Sequence, residues 1–156
     1  MKYLRLLLCV FLCEAVGLAG SLFMANFEWY SALVKPSFFP PNWLFGPVWI
    51  TLYALMGASL YLVWSSRGKS KERAFAVFGL QLFLNGVWSP LFFGYRLLAL
   101  SLLDIVLLWI AIAFTVWVFW HYSKLASGLL MPYLVWVSIA TLLNYTVFML
   151  LQPVYL

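Results

Sequence analysis

The chain has 156 residues, of which 67% are hydrophobic and only 8% charged, with a formal net charge of +5. Its mean hydropathy is +1.03. A water-soluble globule needs more polar side chains than this to cover its surface. The composition therefore excludes a soluble fold and indicates an integral membrane protein, so that any chemistry takes place in or at the bilayer.

Five stretches of the sequence meet the requirement of about 20 apolar residues for a transmembrane helix. We predict spans at Leu6 to Ala25, Trp43 to Trp64, Ala74 to Tyr95, Leu97 to Trp120 and Gly128 to Leu151. Together they use nearly the whole chain. The predicted fold class is an all-α integral membrane protein, a single five-helix bundle over residues 1–156 with no soluble domain.

The first apolar stretch has a second interpretation, because basic residues before an apolar run are also typical of a secretory signal. Ala15-Val16-Gly17 would be the cleavage site. Apolar residues continue past Gly17, and Glu14 interrupts the would-be signal core, which favours a retained helix. Cys9 and Cys13 lie one turn apart in it, and packing explains them better than a metal site, which needs more ligands.

Basic residues are unevenly shared between the two sides of the predicted bundle. The N-terminus and the second and fourth connections hold Lys2, Arg5, Arg67, Lys69, Lys71, Arg73 and Lys124, whereas the opposite side holds Lys35 and Arg96. The positive-inside rule then predicts an inner N-terminus and an outer C-terminus. The same asymmetry explains most of the net charge, as membrane topology and contact with anionic headgroups rather than nucleic-acid binding.

The connection over residues 26–42 is rich in proline and aromatic residues. Each proline fixes φ and biases the preceding residue toward extended conformations, so Pro36, Pro40 and Pro41 stiffen this loop. A stiff aromatic loop can serve as a lid over a pocket. The alternative is an aromatic belt at the membrane interface, formed by Trp29, Tyr30, Phe38, Phe39 and Trp43.

A polar stripe follows the third span. Its members, spaced i, i+4, i+7 and i+8, are Gln81, Asn85, Trp88 and Ser89. Unpaired amides are costly in hydrocarbon, so the stripe points into the bundle, toward either another helix or a ligand. Pro90 predicts a kink beside it that opens room for a pocket.

The second and fifth spans offer matching groups. Trp49 and Tyr53 lie one turn apart in the second span. The fifth span repeats the i, i+4, i+7, i+8 spacing with Trp136, Ala140, Leu143 and Asn144. Small Ala140 leaves a gap that a facing helix or a flat ligand could fill. We infer that the three helices converge on a common interior.

No set of nucleophile, base and orienting group can be assembled from this sequence, and no metal constellation is present in it. Two carboxylates within spans, Glu14 and Asp104, are functional candidates by their location alone. They are too isolated for a proton relay, and His121 fits an interfacial residue. The sequence does not favour hydrolytic or transfer catalysis, a metal or a required cofactor.

An ordered series of motifs resembles the tryptophan-rich sensory protein and translocator protein (TspO/MBR) family, also called peripheral-type benzodiazepine receptors. The series covers the chain from Trp29 to Tyr145 and consists of Trp29-Tyr30-x-x-Leu33-x-Lys35-Pro36-x-x-x-Pro40-Pro41, Gly46-Pro47-Val48-Trp49-x-x-Leu52-Tyr53, Gln81-Leu82-x-Leu84-Asn85-x-x-Trp88-x-Pro90-x-Phe92-Phe93-Gly94, Pro132-Tyr133-Leu134-x-Trp136 and Leu143-Asn144-Tyr145.

The resemblance implies a five-helix membrane receptor or stress sensor, often a homodimer, that binds porphyrins and haem-related tetrapyrroles as well as benzodiazepine- and isoquinoline-type ligands. It places Trp49, Tyr53, Asn85, Trp88, Trp136, Ala140 and Leu143 around the ligand, with Trp29, Tyr30 and Pro41 in the covering loop. Lys35 is then a candidate partner for porphyrin carboxylates. Photo-oxidative porphyrin degradation, with Trp49 and Trp136 as the reacting indoles, and transport of tetrapyrroles or lipids are the alternatives.

The sequence departs from animal members of the family at its C-terminal end. Tyr145 is followed by five residues without Lys or Arg, so the family's cholesterol-recognition stretch is broken and a sterol role is disfavoured. The basic tail of animal members is missing too, which points to a prokaryotic cell membrane. Small residues in the first and third helices, among them Ala15, Gly79 and Gly86, favour a homodimer.

Overall fold

The computed structural model describes residues 2–33, 35–67 and 70–151, and of residues 25–27 it describes the backbone only. Within these ranges the chain is helical and has no strand. Its α-helices are α1 (Lys2–Ser21), α2 (Phe27–Ala32), α3 (Phe45–Ser65), α4 (Glu72–Ser89), α5 (Leu98–Trp120), α6 (Lys124–Leu129) and α7 (Met131–Leu151). Short 3-10 segments lie at Leu22–Asn26 and Asn42–Leu44, and a π-helical segment at Pro90–Gly94.

Five helical stretches are long and apolar enough to cross a membrane, which confirms the predicted fold class and a multi-pass membrane protein. They run over Lys2–Met24, Asn42–Ser65, Glu72–Gly94, Leu98–Trp120 and Lys124–Leu151. The first and last begin four residues earlier than predicted, because the helices continue into the polar ends of the spans. Ser123 starts α6 by accepting a hydrogen bond from the Ala126 N–H at 3.2 Å, so part of the connection expected between Trp120 and Gly128 is helical.

The five spans form a closed ring rather than a row. α1 packs against α3 and α4, α5 packs against α4 and α7, and α3 packs against α6 and α7. Every long helix therefore has two neighbours and one face toward a shared interior. Cys9 and Cys13 are buried in this packing, in agreement with a structural role.

Pro90 produces a widened turn at the end of α4. The Tyr95 N–H donates to the Pro90 carbonyl at 2.8 Å, five residues back, which is the π-helical pattern. Arg96 then takes a positive φ of 56° and turns the chain into α5. Pro90 thus gives a π segment that leads into a tight turn at Tyr95 and Arg96, and the bend of the helix axis stays a prediction.

The antiparallel topology brings most of the basic residues to one end of the bundle, where α1, α4 and α6 begin and α3 and α5 end. Lys69 lies outside the described residues. Lys35 and Arg96 lie at the opposite end, beside α2 and before α5. Which side of the membrane each end faces stays a prediction.

Candidate functional site

A cavity of about 260 Å³ lies between α1, α3 and α4. Aromatic, small and polar side chains share its wall, and they are Glu14, Gly17, Leu18, Gly20, Ser21, Met24, Phe45, Gly46, Trp49, Ile50, Tyr53, Asn85, Trp88, Ser89 and Phe93. A mostly apolar concavity with a few convergent polar groups is the usual form of a small-molecule site. Trp49, Tyr53, Asn85, Trp88 and Ser89 are all predicted site residues, and the structure brings them together here.

Glycines allow α1 to lie close enough to form one wall of the cavity. A Cβ on Gly17 would lie 2.2 Å from Cε2 of Tyr53, so only glycine leaves room for this ring. Gly57 of α3 lies against the backbone of α1, where a Cβ would be 2.4 Å from Cα of Val10. Close helix contact through small residues is the common mode of packing in membranes.

The polar stripe of α4 is used for bonds between helices. The Tyr53 hydroxyl donates to Oδ1 of Asn85, and Nδ2 of Asn85 donates to the Tyr133 hydroxyl at 2.8 Å. Nε1 of Trp88 donates to Oδ1 of Asn144 at 3.0 Å. Helices α3, α4 and α7 thus converge as inferred, and Asn85 and Trp88 both join helices and line the cavity.

The connection after α1 closes the top of this interior with the short helix α2. Tyr30 is 2% exposed and packs edge-on against Phe45, Phe92 and Phe93, with ring centroids 6.3, 6.0 and 5.7 Å away. Burial raises the pKa of Tyr30 to about 12, so this side chain stays neutral at physiological pH. Trp29 packs on Phe92 as well, at 5.8 Å. The loop thus carries a helical plug of aromatic residues, and Tyr30 in this plug packs on Phe45 and Phe93, which also line the cavity.

Lys35, which lies outside the spans, contacts Tyr30 of this plug in two ways. Its Nζ donates to the Tyr30 carbonyl and lies 3.9 Å from the centroid of the Tyr30 ring. Burial lowers the pKa of the Lys35 ammonium from its usual value. A second cation, Arg96, places its Cζ 5.6 Å from the Trp29 ring. Pro41 is exposed and precedes the 3-10 segment Asn42–Leu44.

The predicted residues of α7 lie behind the cavity rather than on its wall. Ala140, Leu143 and Asn144 border a separate void of about 10 Å³. Phe45, Trp88 and Phe93 line both spaces and form a wall of rings between them. Trp136 packs against Phe45 with ring centroids 5.8 Å apart, and it borders neither space.

Gln81 also lies away from the cavity, although it belongs to the same stripe as Asn85. It is 1% exposed, and neither polar atom of its amide has a hydrogen-bond partner among the described residues. Asp104 is 7% exposed, and its Oδ2 is likewise unpaired within that part of the chain. Neither residue borders the cavity.

Some residues of the site were not singled out from the sequence. Tyr133 completes the hydrogen-bond chain. Two signals were available for it, its place in the Pro132-Tyr133-Leu134-x-Trp136 motif and its position three residues before Trp136, on the same helical face. Phe45 and Phe93 build the dividing wall. Phe93 belongs to the Phe92-Phe93-Gly94 motif, whereas nothing in its apolar run distinguishes Phe45 from a lipid-facing ring. The α1 residues Gly17, Leu18 and Met24 line the cavity because of the ring order of the helices.

The fold and the cavity together define a class, a multi-pass helical membrane protein whose interior holds an aromatic cavity closed by a helical loop. The family model described as "TspO/MBR family" matches residues 9–150, and the chain belongs to that family.

Similar proteins come from archaea, bacteria and animals. The chain is 49% identical over 153 residues to "Tryptophan-rich protein TspO" of Chlorobaculum tepidum, covering 96% of this chain and 97% of the relative. It is 43% identical over 152 residues to the protein of the same name from Archaeoglobus fulgidus, covering 96% and 99%. With "Translocator protein" of Homo sapiens it shares 45% identity over 124 residues, or 78% of this chain and 73% of the human one.

Proposed function

We propose that the protein is a membrane receptor or sensor that binds porphyrins and related tetrapyrroles, and benzodiazepine- and isoquinoline-type ligands, in the cavity between α1, α3 and α4. The observation that carries this proposal is the cavity wall formed by Trp49, Tyr53 and Trp88 together with the Asn85 carboxamide. Flat apolar ring systems gain burial and offset stacking on indole and phenol rings. No further cofactor is required, and the tetrapyrrole is the ligand.

A tetrapyrrole needs more room than the closed cavity offers. Pockets for drug-sized ligands measure about 300–1,000 Å³, against about 260 Å³ here. Displacing Phe45, Trp88 and Phe93 joins the cavity to the void beside Ala140 and Leu143. Because Tyr30 packs on two of these rings, Phe45 and Phe93, binding of a large ligand requires α2 to move with them.

The charged groups near α2 suit the acidic edge of a porphyrin. Lys35 and Arg96 both lie at this end, each against an aromatic ring of α2. Once α2 moves, the Lys35 ammonium exchanges the Tyr30 carbonyl for a ligand carboxylate, a stronger acceptor because it is charged. The ring system then lies in the cavity and the carboxylates at its α2 end.

Titration of the purified protein with protoporphyrin in the dark tests the proposal. We expect saturable quenching of tryptophan fluorescence, and about a tenfold lower affinity in Trp49→Leu, which loses a stacking surface. The matched control is Trp43→Leu, because Trp43 is 72% exposed and lies outside the cavity. Equal affinities of the two variants, or quenching that does not saturate, would contradict the proposal.

The position of Trp49 on the cavity wall favours a second candidate, light- and oxygen-dependent degradation of bound porphyrin. Illumination of the same aerobic sample would then yield a new absorbing product, and Trp49→Phe would slow its formation more than Trp136→Phe, since Trp136 does not border the cavity. Equal product formation with denatured protein argues against an enzyme. Flux of porphyrin into proteoliposomes would instead favour a transporter.

A further inference from the structure

Glu14 is a cavity-lining carboxylate without a partner. It lies about halfway along α1 and borders the cavity. In the part of the chain that the structure describes, no hydrogen bond or ion pair involves its side chain. An acidic side chain within a membrane span is costly, and such residues normally pair with another group.

The cavity offers aromatic ring faces beside Glu14, and no Lys, Arg or His is among the described residues that line it. Trp49 and Tyr53 are stacked, with ring centroids 5.5 Å apart and planes at 28°. Glu14 and Tyr53 are close enough for an electrostatic interaction, yet the Tyr53 hydroxyl is already donated to Asn85. A carboxylate beside two electron-rich rings attracts a cation through ion pairing and cation–π contact, and it repels an anion.

The cavity reaches the lipid-facing side of the bundle between α1 and α3. Leu18 of α1 and Ile50 of α3 both line it, and they are 70% and 62% exposed. A molecule dissolved in the bilayer therefore meets the cavity at this seam. A ligand that enters the cavity by this route has to be hydrophobic, because it comes from the bilayer.

Charges of opposite sign occupy the two ends of the site. Ten residues of helix separate Glu14 from Met24, about 15 Å along the axis, and Lys35 and Arg96 lie beyond, beside α2. The carboxylate thus faces the deep part of the cavity and the cations its covered end.

We propose that Glu14, with the faces of Trp49 and Tyr53, binds the protonated amine of a hydrophobic ligand that comes from the bilayer between α1 and α3. The inference rests on the proposed function only in using the same cavity. The bound pair is neutral overall, which favours it over either charge alone in a low dielectric. The same corner repels carboxylates and so orients acidic ligands with their anionic ends toward Lys35 and Arg96.

Three probes that share one ring system test the inference by calorimetric titration of the full-length protein in neutral-detergent micelles. They are naphthylmethylamine, naphthylmethanol and naphthylacetate. We expect the amine to bind about tenfold more tightly than the alcohol, since only the amine adds a positive charge to its hydrogen bond with the carboxylate. The acetate should bind most weakly.

Glu14→Gln should remove the preference for the amine and leave the affinity for the alcohol unchanged. The matched control is Glu72→Gln, which removes the same charge from an exposed residue at the start of α4, outside the cavity. Wild-type protein that binds the amine and the alcohol equally would overturn the inference, and so would a folded Glu14→Gln variant that keeps the preference. If that variant does not fold, as judged by circular dichroism, the comparison of probes on the wild type decides alone.

A protoporphyrin titration of the same preparations separates the two proposals. Preference for the amine without saturable porphyrin binding would overturn the tetrapyrrole receptor and support the Glu14 site. Saturable porphyrin binding without preference for the amine would support the tetrapyrrole receptor and overturn the Glu14 site.

Discussion

Asn85 connects three helices through a single side chain. Its carbonyl oxygen accepts from Tyr53 of α3, and its amide nitrogen donates to Tyr133 of α7. All three residues are buried, at 5%, 8% and 0% exposure. Both tyrosine hydroxyls therefore depend on this one carboxamide for their hydrogen bond within the protein.

Asn85→Ala should lower the free energy of unfolding by about 1–3 kcal/mol, because it leaves buried hydroxyls unpaired. Unfolding in mixed micelles, followed by near-UV circular dichroism, measures the change. Asn42→Ala is the control, because Nδ2 of Asn42 bonds Oγ of Ser31 at 3.0 Å on the exposed surface. Its effect should stay within about 0.5 kcal/mol. Equal losses in the two variants would mean that the chain of hydrogen bonds contributes no stability.

Sequence reasoning could find the polar stripe but not the partners of its members. The spacing of Gln81, Asn85 and Trp88 fixes their common side of α4, since the helical period alone decides it. Which of them meets a tyrosine or an amide depends on the rotation and height of α3 and α7. Asn85 and Trp88 acquire partners across the interior, whereas Gln81, one turn away, acquires none among the described residues.

α1 and α3 pack at backbone distance. The Cβ that an alanine would add at Gly57 lies 2.4 Å from Cα and 2.7 Å from N of Val10, and these are backbone atoms that cannot turn aside. Separating the two helices would also remove one wall of the cavity. The site therefore depends on a glycine that does not line it.

Gly57→Ala should destabilise the bundle by about 1–3 kcal/mol, the usual cost of overpacking, and should weaken ligand binding as well. Gly79→Ala is the control on α4, where an added Cβ meets nothing within 4 Å. There the better helix propensity of alanine should leave stability unchanged or raise it. Thermal unfolding of the two variants under identical conditions gives the comparison, and equal midpoints would refute the proposed close approach.

The role of α1 could not be derived from its sequence. Its apolar length predicts a span, although the same residues also fitted a secretory signal. No pattern among them predicts that α1 lines a cavity. That role follows from the order of the helices around the ring, in which α1 closes the gap between α3 and α4. Gly86 is likewise used inside the bundle, where its Cβ would meet Val16 at 3.1 Å, whereas Ala15 and Gly79, which belong to the same set of small residues that favour a homodimer, are both exposed. The homodimer stays a prediction.

The bundle has a basic end and a nearly neutral one, and the five spans place the two chain termini at opposite ends. The positive-inside rule predicts that the basic end faces the cytoplasm. The number and limits of the spans follow from apolar length alone, which is why the fold class is readable from the sequence. The orientation is a separate matter, since it depends on charge.

A reporter enzyme that is active only outside the cytoplasm should be active when fused to the C-terminus and inactive when inserted at Arg67, between α3 and α4. A cytoplasmic reporter at the same two sites should give the reverse pattern and serves as the control. Activity of the first reporter at Arg67 would invert the topology and place the α2 end of the cavity on the cytoplasmic side.

If the cavity binds ligands as proposed, the three rings that it shares with the neighbouring void should make affinity depend unevenly on ligand size. A small molecule fits in front of Phe45, Trp88 and Phe93 and leaves them in place. A larger one first has to displace these rings and α2, and only then gains contacts with α7. Across a homologous series, affinity should therefore fall at the ligand size that first displaces these rings and rise again for larger ligands. The larger ligands should also associate more slowly. The protein would then bind small ligands quickly and large ligands slowly, and compounds of intermediate size would compete weakly with both.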